Sequence, residues 1–222
     1  MLMNFINWFH VSDLHIKKNT AWFNQEAAIQ NQLLGKYNTN FLVVTGDFRH
    51  HKHNVSFSDA KDWLERFTKL FNIPKKNVFF VPGNHDVNIS NPSYRGSVIK
   101  DIKTQIMNGD IEAYKSHMDE TLIPAFSEYN EFVQEFYAEE VNDARVLSPA
   151  SVYTVEWDNK INIIGINTAL GCTGNRDNEK KEFFDAPGGA VALVTKDADG
   201  SAVVAEIDGN LGNGYYSSLK AA

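Results

Sequence analysis

The chain has 222 residues, and with 43% of them hydrophobic it can bury one sizeable core, which excludes a disordered or fibrous protein. A net charge of -7 argues against a general nucleic-acid or membrane-surface binder, although a local basic patch remains compatible with it. Cys172 is the only cysteine, so there is no internal disulfide framework and no thiolate metal site, as expected for a reducing compartment. Residues 1–9 are apolar but short and carry no basic leader, and no run is long enough to span a bilayer. A cytoplasmic protein without a membrane partner is expected.

Residues 5–11 read as a first strand that stops at Ser12-Asp13-Leu14-His15. Alternation along a strand places Asp13 and His15 on one side, where a carboxylate oxygen and an imidazole nitrogen could converge on a divalent cation; a surface Asp–His pair is the alternative. His10, inside the strand, is expected to be a hydrogen-bonded structural histidine. Residues 21–36 read as a helix that packs Ala21, Ala28, Ile29, Leu33 and Leu34 on a sheet and ends near Gly35. Residues 41–45 form a second buried strand that ends in Gly46-Asp47, again placing a carboxylate beyond a strand's C-terminal end.

Arg49-His50-His51-Lys52-His53 is expected to be a loop near the site, with one of its three histidines contacting substrate or metal, because sequence neighbours seldom converge on one ion. A helix follows, capped by Ser56 or Ser58, in which Phe57, Trp63, Leu64, Phe67, Leu70 and Phe71 repeat at helical spacing until Pro74 breaks it. Residues 78–81 form the third apolar strand, and Pro82-Gly83 turns it into Asn84-His85-Asp86. There Asn84 can ligate a metal, His85 can move a proton and Asp86 can orient the imidazole; an ordinary Asx-rich turn is the alternative.

Three apolar strands thus end in Asp13-x-His15, Gly46-Asp47 and Gly83-Asn84-His85-Asp86. This order resembles that of the calcineurin-like metallophosphoesterases, over residues 5 to about 170. The resemblance implies an α/β fold, a four-layer sandwich of two mixed β-sheets flanked by helices, with two divalent metal ions between the strand ends. It implies that Asp13 and His15 bind the first metal, that Asp47 bridges both and that Asn84 binds the second. His85 would then protonate the leaving oxygen while Asp86 holds its ring, and a metal-bound hydroxide would hydrolyse a phosphomonoester or phosphodiester. Mixed nitrogen and oxygen ligation admits Mn, Fe, Zn or Co.

The family completes its metal sites with a further histidine and a Gly-His-x-His motif, but after His85 this chain has only His117. The second metal is therefore expected to bind weakly, which leaves a non-catalytic or truncated relative acting as a binding module as an alternative. A DNA exonuclease of the same fold is another, although the acidic balance favours a small phosphoester or cyclic nucleotide over nucleic acid.

Residues 92–142 read as mainly helical, with Val98, Ile102 and Ile106 in one segment and Phe126, Tyr129, Val133, Phe136 and Tyr137 in another that starts at Pro124. They could cap the site, with Tyr94 and Arg95 touching a phosphate or lying in a solvated loop. Residues 151–157 and 161–167 read as a hairpin of a second sheet. A domain of residues 1–185 is expected to give way at 186 to an Ala- and Gly-rich tail, in which 190–195 and 202–207 could pair as a hairpin. That tail holds no histidine, which points to a truncated or altered C-terminus.

Overall fold

Two strands of the core are apolar but for a terminal threonine, and both are buried at every residue. These are β2 (Phe41–Thr45) and β3 (Val78–Val81). In the computed structural model, which describes residues 6–16, 20–36, 38–50, 56–88, 96–138, 143–147, 152–158, 161–171, 190–196 and 202–208, β2 lies at the centre of a three-stranded sheet. β1 (Trp8–Val11) pairs with it on one side, Trp8 opposite Phe41, and β3 on the other, Leu42 opposite Val78. Both pairings are parallel, because α1 (Thr20–Leu33) and α2 (Phe57–Leu70) carry the chain back between the strands. All three C-terminal ends consequently open on one edge.

Strand alternation gives this sheet two apolar faces. On one, Leu42, Val44, Val78 and Phe80 meet the stripe of α2, in which Phe57, Ala60, Trp63, Leu64 and Phe67 are buried. Ser56 caps α2, and its N–H donates to the Asp59 carboxylate at 3.2 Å. On the same face, α5 (Ser127–Phe136) buries Tyr129, Phe132, Val133 and Phe136, and the Phe132 ring stacks on Phe80 at 5.2 Å. The region expected as a helical cap thus contributes α5 to the core itself, while α3 (Gly96–Met107) and α4 (Ile111–His117) pack on each other.

On the opposite face, Phe41, Val43, Phe79 and Val81 pack on Tyr153, Ile161 and Ile163 of a second sheet. Its order is β4 (Val152–Trp157), β5 (Ile161–Ile166), β6 (Ala190–Lys196) and β7 (Ala202–Asp208), antiparallel throughout. β6 and β7 come from the Ala- and Gly-rich region, which therefore continues the sheet begun by β4 and β5. Gly165 makes room for the Tyr153 ring, since a Cβ there would lie 2.3 Å from its Cζ, and the Tyr153 hydroxyl donates to the Phe80 carbonyl at 3.2 Å.

Where the resemblance implies two mixed sheets, the described strands form one purely parallel and one purely antiparallel sheet. The cause is connectivity: helical crossovers make the first, and hairpin pairings dominate the second. Among the described residues, helices, parallel sheet and antiparallel sheet make three layers. The outer face of the second sheet, with Val152, Thr154, Glu156, Asn162 and Ile166, is exposed among the described residues. No helix of the described residues is long and apolar enough to cross a membrane.

Candidate metal centre

The turns after the first two parallel strands depart from ordinary backbone geometry. Asp13 and His15 have φ of 52° and 39°, and Asp47 has 54°, preceded by Gly46 at 90°. Left-handed backbone costs a non-glycine residue on the order of 1–3 kcal/mol and persists only where its surroundings over-determine it. Here the two loops pair with each other: His15 N–H donates to the Asp47 carbonyl at 2.9 Å and Ile16 N–H to the Phe48 carbonyl at 3.0 Å. That pairing turns the Asp13, His15 and Asp47 side chains out of the strand register and into a common space.

The third loop is joined just as closely. A Cβ on Gly46 would lie 2.6 Å from Gly83 Cα, and one on Gly83 would lie 2.2 Å from Asp47 Oδ1, so the two turns touch backbone to backbone. The short helical turn Asn84–Asp86 then presents the His85 N–H to Asp47 Oδ1 at 2.9 Å. Asp47 and Asn84 are buried, His15 and His85 half-buried, and Asp13 exposed.

His15 Nε2 lies 3.7 Å from Asp47 Oδ2 and 3.9 Å from Asp13 Oδ1, so both carboxylates face one imidazole nitrogen. One donor atom each from His15, Asp47 and His85 can be chosen so that all lie within 4.8 Å of one another. Two ligands that each stand about 2.0–2.2 Å from a shared cation are separated by roughly 3–4 Å, so these donors need little movement to close on one. A set of imidazoles and carboxylates suits a borderline divalent ion.

A family model described as calcineurin-like phosphoesterase matches residues 7–191. The chain belongs to the calcineurin-like phosphoesterase family. A curated relative, the uncharacterized metallophosphoesterase-like protein YydB of Bacillus subtilis (strain 168), is 25% identical over 178 residues, which are 74% of this chain and 34% of YydB. The chain thus spans about a third of that relative's length. No solved structure matches it significantly.

At this centre, one side chain sits differently from its sequence reading. Asp86, expected to orient the His85 ring, instead accepts from the backbone N–H groups of Gly83 at 2.9 Å and of Phe48 and Arg49 at 3.4 Å. It makes no bond to that ring among the described residues, because its turn directs the carboxylate back beneath the loops. Burial pushes its pKa up to about 6, against the opposing pull of those amides and of Arg49. Asp86 thereby ties the second loop to the third.

His50, in the loop expected near the site, lies there: its ring stacks on His85 at 4.2 Å and lies 5.2 Å from His15. The available signal was its place three residues after Asp47, in the same strand-end loop. His51, His53, Tyr94 and Arg95 lie outside the described residues. His117 bonds through Nε2 to Gln105 at 2.8 Å, on the helices and outside the metal cluster. His10 bonds through Nε2 to the Thr45 hydroxyl at 2.9 Å, and burial lowers its pKa, the structural role expected of it.

Proposed function

We propose that the chain is a metal-dependent phosphoesterase that hydrolyses a phosphomonoester or phosphodiester at this centre. The observation that carries the reading is the convergence of His15, Asp47 and His85 donor atoms at the C-terminal edge of the parallel sheet. Asp13, His15 and Asp47 would hold one divalent cation, while Asp47 and Asn84 would hold a second with fewer protein donors and so more weakly. When bound, a divalent cation supplies Lewis-acid activation of the phosphoryl group and of the attacking water.

The remaining work falls to the chain's own residues. The left-handed loops keep Asp47 in place, with Oδ2 facing His15 and Oδ1 tied to the His85 N–H. Asn84 contributes a neutral amide that can lie against a charged phosphoryl oxygen. His85 delivers a proton to the leaving oxygen, and the His50 ring stacked on it, not Asp86, limits its rotation. The substrate is a small phosphoester or cyclic nucleotide in preference to nucleic acid, given the net charge of -7. Family membership also supports a four-layer sandwich, with exposed Val152 and Ile166 marking where a further layer would rest.

Hydrolysis of an aryl phosphodiester with added Mn²⁺, compared with EDTA, tests the reading. His15→Ala should lose metal and activity together. His85→Ala should lower turnover by about 10²–10⁴-fold while keeping its metal. Absence of metal-dependent hydrolysis on a panel of monoesters and diesters would refute the proposal, and loss of metal in His85→Ala would reassign that residue to ligation.

A further inference from the structure

β2 and β3 are buried along their whole length, but all four residues of β1 are only half-buried. Beside Phe9, His10 and Val11 lies a cavity of about 350 Å³ between β1, α1 and α2. Phe9, Leu14, Leu33, Trp63 and Phe67 form its body, and Ile29, 43% exposed, stands among its lining residues. The Phe67 ring meets Phe9 edge-on at 5.5 Å and stacks on Trp63 at 4.9 Å, so the wall beneath the cavity is firm.

Polar groups gather at one end. Asp13 lines the cavity and also stands 3.9 Å from His15 Nε2, with Ser12 Oγ donating to Asp13 Oδ2 at 2.5 Å. His10, the other titratable group along the cavity, has its Nε2 engaged by Thr45. The space is therefore an apolar chamber with a carboxylate, Asp13, that stands beside His15 of the metal cluster.

We propose that this cavity receives the apolar organic group of the phosphoester substrate, a hydrocarbon chain or unsubstituted ring, while the phosphoryl group lies at the metal cluster. The assignment rests on the hydrolytic reading of that cluster. Cavities of this size hold small-molecule groups, and burying hydrocarbon here covers side chains that the fold leaves partly wet, among them Phe9, Val11 and Leu14. A nucleobase fits the chemistry poorly. Its ring nitrogens, carbonyls and amino groups would lose water against Phe9, Leu33 and Trp63 without compensating bonds. The cavity thus selects against nucleotides within the broader class of small phosphoesters.

Equilibrium binding of non-hydrolysable phosphonates to the zinc-loaded chain, by calorimetry and by tryptophan fluorescence, tests this. Affinity should rise about fourfold per methylene from methyl- to butylphosphonate. Phenylphosphonate should also bind more tightly than methylphosphonate, and adenosine monophosphate no more tightly. Leu33→Trp, which fills the chamber, should cut the butyl-to-methyl affinity ratio at least tenfold; if that variant fails to fold, Ile29→Trp serves instead. Equal affinity along the series, tighter binding of the nucleotide, or no phosphonate binding at all would overturn the proposal. A mass increase from self-association without length dependence would also overturn it, assigning the cavity to a second copy of the chain. The two readings fail separately. Chain-length-dependent binding without hydrolysis of any ester sinks the hydrolytic reading alone, and hydrolysis without length dependence sinks the cavity assignment alone.

Discussion

Replacing Gly83 by alanine tests whether the second and third strand-end loops depend on direct backbone contact. Gly83 has φ of -107°, open to any residue, so its constraint is space and not conformation. An added Cβ would meet Asp47 Oδ1 at 2.2 Å, Asp47 N at 2.5 Å and Asp47 Cγ at 2.9 Å. Ordinary carbon contacts begin near 3.5 Å, so one loop must retreat by about 1 Å. The Asp47 side chain cannot simply swing aside, because Oδ1 holds the His85 N–H and its carbonyl holds the His15 N–H. Overpacking of this kind costs about 1–3 kcal/mol, and a 1 Å misplacement at a reacting centre costs on the order of 10² in rate. Urea unfolding of the metal-free chain should therefore show that loss, and zinc titration by calorimetry should show weaker binding. Gly109→Ala is the control: its φ of 78° strains alanine, but no atom lies within 4 Å, so stability should fall slightly with metal affinity unchanged. Wild-type stability and metal affinity in Gly83→Ala would refute the contact and, with it, the account of how the loops are held.

Two further outcomes are expected. Arg145 is 3% exposed; it pairs with Asp143, donates to the carbonyls of Lys76 and Val78 at 2.8 Å each, and lies over the Tyr137 ring at 4.4 Å. Arg145→Met leaves half-buried Asp143 without its cation and the Lys76 carbonyl without its donor and should cost about 3–5 kcal/mol in urea unfolding, without recovery in Arg145→Lys, which lacks the planar fork; a loss below about 1 kcal/mol would contradict the assignment. Asp86 has its pKa raised by burial to about 6. An acid raised in the folded state contributes stability that is full below its unfolded value and is lost as pH rises through the folded one. The metal-free chain should therefore lose on the order of 3 kcal/mol from this group between about pH 4 and 6, and Asp86→Asn should flatten that slope in urea midpoints. An unchanged slope would show that Asp86 does not carry it.

Local chemistry was legible in the sequence wherever a few adjacent residues decide the outcome. The runs at 41–45 and 78–81 have no plausible fate except buried strands, and the stripe from Phe57 to Phe67, between Ser56 and Pro74, can only be an amphipathic helix. The same locality located the turns carrying Asp13, His15, Asp47, Asn84 and His85, because each directly follows a strand. Tertiary structure decided what those turns do to one another. Asp86 lies 38 positions from Phe48, whose N–H it accepts, and no periodicity reports so distant a bond. The stacking of His50 on His85 depends on how the left-handed Asp47 loop meets the Asn84 turn, and left-handed backbone at aspartate and histidine has no compositional signature. The cavity under β1 is likewise absent from the hydrophobic pattern, which counts apolar residues facing a sheet but does not say how far the helix above them stands. Burial follows from side-chain chemistry and can be read in one dimension, whereas the distances between loops arise from packing whole elements together and exist only once the chain has folded.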